Sequence, residues 1–325
     1  AQAHERAGFD KVLVGYTGTA ADGFLVSSYA AAHTERLGYL IAHRPGFVAP
    51  TLAARKAATL DQFTGGRVAL HIITGGSDVD QARDGDWLDH DTRYRRTDEY
   101  LEIVRRVWTE ERPFDHAGEF YRVARAHSEI RCAQKPHVPL YFGGASAAAH
   151  AIGARHADVY MLWGEPLAAI RERIAAVRAA AAPLVREPRI SVSLRPIIAP
   201  TEARAWEKAR GILAGVLARS GDRTLPNPEA VGAQRLVEFA RQAEVHDKRL
   251  WTPIAAAAGG AGNTTALVGT PDQVAESLLD YCDLGVTTLL IRGFDPLNDA
   301  VDYGRELIPL VRAEVARRDR ARVAA

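Results

Sequence analysis

The chain has 325 residues, 47% of them hydrophobic and 25% charged, with a net charge of +1. This is the profile of a soluble globular protein, long enough for one large domain or two ordinary ones. A near-zero charge balance removes the electrostatic argument for nucleic acid as a partner, and no apolar run reaches the roughly 18 residues of a membrane helix.

Short apolar, β-branched runs recur along the chain and predict strands at 11–16, 38–44, 67–73, 139–144, 157–164, 189–198 and 287–293. Helical patterns separate them, over about 22–36, 50–63, 91–109, 146–155, 166–182, 201–219, 228–245, 272–283 and 297–316. "TLDQFTGGR" (59–67) reads as a helix exit, with Gly65 and Gly66 as breakers before a strand. Most strands are continuous apolar runs, as a parallel sheet covered on both faces requires. Two architectures fit: an open doubly wound sheet and an eight-stranded barrel. The chain begins "AQAHERAGFD", in a helix and without an initiator methionine. The expectation is a single (β/α)8 TIM-type barrel domain over 1–325 whose first strand is missing from this chain. Two segments exceed ordinary loops, about 74–138 and about 199–286, and are expected as insertions. No signal peptide is recognisable, and Cys132 and Cys282 match no metal spacing, so a reducing, cytoplasmic setting is expected.

Active sites in such barrels sit at the C-terminal ends of the strands. "YFGGAS" (141–146) leads from a strand through glycines to Ser146 at a helix start, which is either an N-cap or a phosphate site. "HDTRY" (90–94) puts His90 and Tyr94 on one helix face, with Arg93 able to reach an anion. The plainer alternative is a surface helix start. Arg195 stands in an otherwise apolar strand, where a charge is costly unless paired or used. Trp163 is either a core aromatic or a pocket wall. His43 and His71 lie within strands, where a histidine is more often a core residue than a base. The run "GGAGNTTALVG" (259–269) reads as a flexible loop and a candidate lid. No metal spacing, Walker loop, G-x-S-x-G elbow or dinucleotide fingerprint is present.

Several segments together carry a resemblance: "APTLAARKAATLDQFTGGRVALHIITGGSD", "GDWLDHDTRYRRTDEYLEIVRRVW", "PLYFGGAS", "DVYMLWGEP" and "GGAGNTTALVG". Over nearly the whole chain these resemble the bacterial-luciferase-like flavin monooxygenases, and most nearly the alkanesulfonate monooxygenase branch. The resemblance implies the barrel fold and reduced FMN delivered by a separate NAD(P)H-dependent flavin reductase. It implies that oxygen adds to that flavin and attacks an organosulfur substrate, releasing sulfite and an aldehyde from a sulfonate. Thr74 would lie by the isoalloxazine, and His90 and Tyr94 would match the flavin-contacting histidine and tyrosine. Gly144, Ala145 and Ser146 would match the phosphate site. Arg195 and Trp163 would match catalytic-site residues, and residues 246–269 would close over the pocket. The family's habit of forming dimers or tetramers is expected too.

The sequence departs from the sulfonate branch at several positions. Ile197 stands where the branch has a histidine after the arginine, Ala258 where its mobile loop has an arginine, and Phe294 where it has a tyrosine. Its active-site cysteine falls near Ala20. The flavin half therefore matches and the anion-binding half is altered, with Arg292 or His43 as compensating substrate-binding candidates and Phe294, also a substrate-binding candidate, as a wall of the pocket. Two other functions share such a scaffold: deazaflavin-dependent hydride transfer, and non-catalytic flavin binding.

Overall fold

A computed structural model describes residues 1–220 and 228–324. Residues 221–227, part of the 199–286 segment, lie outside the described residues. The strands are β1 (Lys11–Val14), β2 (Gly38–His43), β3 (Val68–Ile72), β4 (Phe114–Ala117), β5 (Arg122–Ala126) and β6 (Leu140–Gly143). They continue with β7 (Val159–Trp163), β8 (Arg189–Ile198), β9 (Val245–His246), β10 (Leu250–Trp251), β11 (Ala266–Gly269) and β12 (Val286–Ile291). The first helices are α1 (Gln2–Arg6), α2 (Gly23–Ala31), α3 (Pro50–Thr64), α4 (Asp78–Arg83), α5 (His90–Thr109), α6 (Ala147–His156) and α7 (Leu167–Ala181). After them come α8 (Glu202–Ser220), α9 (Val231–Gln242), α10 (Pro253–Ala257), α11 (Pro271–Asp283), α12 (Asn298–Asp302) and α13 (Ile308–Ala324). Helices alternate with strands of a mostly parallel sheet, the α/β class expected from the sequence.

The chain packs as two compact units. The first comprises Ala1–Glu5, Asp10–Tyr160 and Val177–Pro188. Its strands β1, β2, β3 and β6 are parallel neighbours in that order. Register fixes their faces. Tyr39, Ile41 and His43 pair with Val68, Leu70 and Ile72, while Ala42 pairs with His71 and His71 with Tyr141. Paired residues of a parallel ladder share a face. The His43 face meets the helices: its ring lies edge-on to Phe24 of α2, and its Nε2 is 2.7 Å from the Tyr100 hydroxyl of α5. Trp108 Nε1 of α5 donates to the Ala54 carbonyl of α3 (2.8 Å), joining the two covering helices. α3 starts with Pro50 and ends on Gly65 at φ 63°, the breaker read from the sequence.

The 74–138 segment is built and not loose. It contains α4, α5 and the antiparallel hairpin β4–β5. Glu99 of α5 anchors that hairpin by accepting from the Phe120 and Tyr121 amides (2.9 Å each) and from His116. At α6, a methyl on Gly153 would overlap the Tyr160 ring, so the helix sits close on its strand only because residue 153 is glycine.

The second unit comprises Arg6–Phe9, Met161–Ala176 and Arg189–Ala325. Its ten-residue β8 carries two parallel partners in succession: β12 along Ile190–Leu194 and β11 along Arg195–Ile198. β10 and β9 follow β11 antiparallel. Ile197, Ala205, Ala209, Trp251, Ile254, Ala266 and Val268 form a buried cluster between β8, β11 and α8. The sequence expectation of a flexible loop over 259–269 is corrected at its end, while 259–265 forms turns and coil. Ala266–Gly269 is a strand with every residue buried, and Asn263, Thr264 and Thr265 before it are buried as well. The segment 246–269 expected as a lid thus contains β10, α10 and β11, with β10 and β11 held by strand pairing. The helix expected over 297–316 is interrupted by a π-helical turn at Tyr303–Leu307.

Gly153→Ala should lower the free energy of unfolding by about 1–3 kcal/mol through overpacking. Gly211→Ala, in α8 with nothing within 4 Å of its new methyl, should raise it by up to about 1 kcal/mol. Denaturant titration checks both. Burial, helped by the Lys56 charge, pulls His43 down from 6.5 to about 4, so the folded ring is neutral where the unfolded one takes a proton. Stability should therefore fall as pH drops from about 6.5 to 4, by up to about 3 kcal/mol from this residue. His43→Gln should flatten that acid limb in urea titrations at successive pH values.

Candidate functional site

In the first unit, Asp89 starts α5 by accepting from the Thr92 amide (3.0 Å) and hydroxyl (2.6 Å). The helical spacing then brings the His90 ring against Tyr94, with centroids 4.7 Å apart and planes tilted by 45°. Tyr94 is hydrogen-bonded to Ser146 and lies edge-on to Phe142. Burial raises its pKa above the ordinary value, so it is a neutral phenol at physiological pH. Ser146 is the N-cap of α6, accepting from the Ala149 amide at 3.2 Å. Of the two sequence readings of Ser146 the structure shows the N-cap, and its hydroxyl also hydrogen-bonds Tyr94. Ala145 contributes backbone between Gly144 and the cap. A methyl on Gly144 would overlap the Ala149 methyl and stand 3.4 Å from the Tyr94 hydroxyl. The chain at 144 thus borders a tight cradle at a helix N-terminus, where amides without intrahelical acceptors gather.

Thr74 belongs to the same neighbourhood. It is buried, and its hydroxyl lies 3.5 Å from that of Thr97, one turn beyond Tyr94 on α5. Gln81 Nε2 donates to the Thr74 carbonyl (2.8 Å) and fills the space a side chain at Gly75 would need. The cluster of His90, Tyr94, Thr74, Gly144, Ala145 and Ser146 is therefore assembled by one face of α5 meeting the ends of β3 and β6. Arg93 is not part of it. Only 3% exposed, it donates to the Leu88 carbonyl and pairs with Asp78 at 2.8 Å, so the anion role read from sequence gives way to a structural one. His43 is likewise corrected: it is spent on Tyr100 in the helix-facing layer and is no substrate contact.

In the second unit Arg195 is 7% exposed and held by backbone carbonyls alone. Nε donates to Asn263 (2.9 Å), Nη1 to Gly293 (3.3 Å) and Nη2 to Gly262 (3.0 Å). Its guanidinium lies 4.9 Å from the Phe294 ring centroid. Among the described residues no carboxylate pairs with it. Burial first, then the charge of exposed Arg292, pulls it down to about 10, which leaves it protonated at neutral pH. Phe294 is itself fixed, since its amide and that of Asp295 donate to Asp299 Oδ2 (2.8 and 3.0 Å). Trp163, at the end of β7, packs on Gly232 of α9. Glu165 secures that helix by accepting from Arg235 at 2.8 and 2.6 Å.

Asn263 was missed by the sequence reading. It takes φ 49°; its Oδ1 accepts from the Gly164 amide (3.2 Å), and its Nδ2 donates to the Ser193 carbonyl (2.6 Å). With its own carbonyl on Arg195 it links the residue after Trp163 to the arginine. The available signal was an asparagine inside a glycine run, the residue type that best tolerates a left-handed backbone after glycine. Among the described residues no cluster of three metal-ligating side chains exists, and no helix is long and apolar enough to cross a membrane.

Known proteins share the fold that carries these residues. The luciferase-like monooxygenase family matches residues 1–288. A riboflavin lyase (RcaE) solved with modified FMN and riboflavin superposes with a TM-score of 0.79 at 21% identity, covering 96% of this chain and 83% of that one. The EDTA monooxygenase EmoA of Chelativorans sp. BNC1 gives 0.79 at 20%, covering 96% and 85%. An F420-dependent secondary alcohol dehydrogenase, solved with an F420–acetone adduct, gives 0.70 at 18%, covering 95% and 92%. Identities this low establish the shared fold alone, which is the barrel class expected from the sequence. The match over most of the chain establishes more: this protein is a member of the luciferase-like monooxygenase family.

Proposed function

We propose that the chain is the oxygenating component of a two-component monooxygenase that takes reduced FMN from a separate NAD(P)H-dependent reductase and acts on an anionic organosulfur compound such as an alkanesulfonate. The observation that carries the flavin reading is the cradle at the start of α6. Gly144 leaves room for no side chain there, Tyr94 and Ser146 supply hydroxyls, and the helix supplies amides, a donor set suited to a phosphate. His90 shields Tyr94 on its outer side, and Thr74 lies at the ring end. Reduced FMN, when bound, supplies the electrons that activate oxygen, which for a sulfonate ends in sulfite and an aldehyde.

The substrate reading rests on Arg195. Three carbonyl dipoles hold its cation without cancelling it, so it can meet a substrate anion in a water-poor setting where the charge counts most. Arg292 adds a second positive charge and stays exposed. Phe294 and Trp163 offer apolar walls. Ile197 is packed into the apolar cluster and Ala258 ends α10, so neither supplies the donor that the sulfonate branch places there. The anion in this reading is held by fewer groups and fits a substrate with a larger apolar part.

Anaerobic titration with reduced FMN should give a Kd of about micromolar order, and Gly144→Ala should weaken it about tenfold or more. Mixing the complex with oxygen and a panel of sulfonates and sulfones should show substrate-dependent oxygen uptake. Oxygen-independent hydride transfer with a deazaflavin would replace this reading, and flavin binding without turnover would reduce it to a binding protein. Arg195→Met should raise KM for an accepted sulfonate about 10- to 100-fold while leaving FMN affinity within about twofold. An unchanged KM in a variant with a normal unfolding midpoint would remove Arg195 from the substrate site.

A further inference from the structure

In the first unit, α4 is docked on the ends of β1 and β2 through charge. Arg44, the residue after β2, is buried, and its guanidinium lies 4.5 Å from the centroid of the Tyr16 ring and 5.6 Å from that of Phe47. Its Nη2 donates to Asp80 Oδ2 of α4 at 2.6 Å, and Nη1 stands 3.6 Å from Asp84 Oδ2. The Tyr16 hydroxyl, pushed up to about 12 by burial and by Asp84, stays protonated and donates to the same Asp84 oxygen at 2.7 Å. The other Asp80 oxygen accepts from the Gly18 amide (3.0 Å) and from Arg83 (3.3 Å). Burial works against the Asp80 charge, but the Arg44 and Gly18 donors hold its carboxyl below the usual carboxylate value, so it is ionised at neutral pH. As a stabiliser Arg44 is a poor choice. Its Nε and Nη1 are sealed from solvent without a hydrogen bond, a cost that an apolar side chain of similar length would avoid. What an apolar side chain could not do is hold Asp80 in one orientation. Next to Asp80 is Gln81, fully buried, whose Nε2 donates to the Thr74 carbonyl (2.8 Å) and occupies the space beside Gly75. Consecutive helical side chains point about 100° apart, so holding Asp80 on Arg44 also sets the direction of Gln81.

We propose that Arg44 is a positioning residue for the flavin site: through Asp80 and Gln81 it sets the backbone at Thr74, and it touches no ligand itself. This rests on the flavin reading above and adds to it a support that acts through two other side chains. The flanking aspartates are held separately, Asp78 by Arg93 (2.8 Å) and Asp86 by Arg96. Loss of Arg44 should therefore loosen α4 without freeing the whole segment.

The test is titration of the full chain with oxidised FMN and with riboflavin, followed by flavin fluorescence. Arg44→Met should weaken both ligands about 5- to 20-fold, and Arg44→Lys, which still offers Asp80 a cation, should stay within about threefold of the parent. Gln81→Met should also weaken both ligands. Because the two residues act on one carbonyl, the double variant Arg44→Met with Gln81→Met should be no more than about twofold weaker than the worse single variant. Ser146→Ala should weaken FMN and spare riboflavin, which lacks the phosphate, and its effect on FMN should multiply with that of Arg44→Met. A general loss of packing would not sort the two pairs in this way. The unfolding midpoint reports whether Arg44→Met folds, and Asp80→Asn opens the same ion pair from its other side if it does not. Parental affinity for both flavins in the folded variant, or independent multiplication of the Arg44 and Gln81 effects, overturns the proposal. If the parent binds neither flavin, the flavin reading itself falls, and the proposal with it. That outcome is visible before any variant is made.

Discussion

A strand covered on both faces must dispose of every second residue to each side, and that constraint organises both units. In the first, Tyr39, Ile41 and His43 go to the helices, where any polar atom needs a partner from the helix layer. His43 finds Tyr100. Ala42, His71 and Tyr141 go to the other side, where the small alanine and the unpaired imidazole leave chemistry open. In the second unit β8 follows the same rule over its first half. Ile190, Val192 and Leu194 are apolar and buried, while Ser191, Ser193 and Arg195 form a polar row on the opposite side. The rule ends where β11 becomes the neighbour, and Ile197 joins an apolar cluster instead.

The treatment of Arg195 shows how a cation is kept usable. A carboxylate partner would satisfy the guanidinium and also cancel it. Carbonyls of Gly262, Asn263 and Gly293 orient it and leave its charge in place. Two of those carbonyls belong to backbone that is fixed elsewhere: Asn263 by Gly164 and Ser193, Gly293 by its closeness to Asp299. The position of one charge thus rests on side chains that never touch it.

Much of this was legible in the sequence. The continuous apolar runs gave the parallel strands to within a few residues, and the four-residue spacing of His90 and Tyr94 put the two rings on one helix face, where they meet. What stayed hidden depended on distant partners. β11 follows Gly259, Gly260, Gly262 and Asn263, all at positive φ, and such a run reads locally as a loop. Its strand character comes from the far half of β8, some seventy positions back. Asn263 has its partners 68, 70 and 99 residues away. The two strand histidines differ only in parity, and which parity faces the helices is set by pairing register, which no local pattern contains.

The close approach of Gly144 to Ala149 couples two positions that the chain could otherwise vary independently. A side chain at 144 is sterically open only in a background where 149 has already lost its methyl, and glycine at 149 would weaken the helix start that presents the amides. Neither single step is neutral, so the route between the two arrangements passes through a poorer intermediate. The cradle is in that sense an evolutionary trap: once built around a bare backbone at 144, it is more readily kept than remodelled, whatever substrate the rest of the barrel comes to accept.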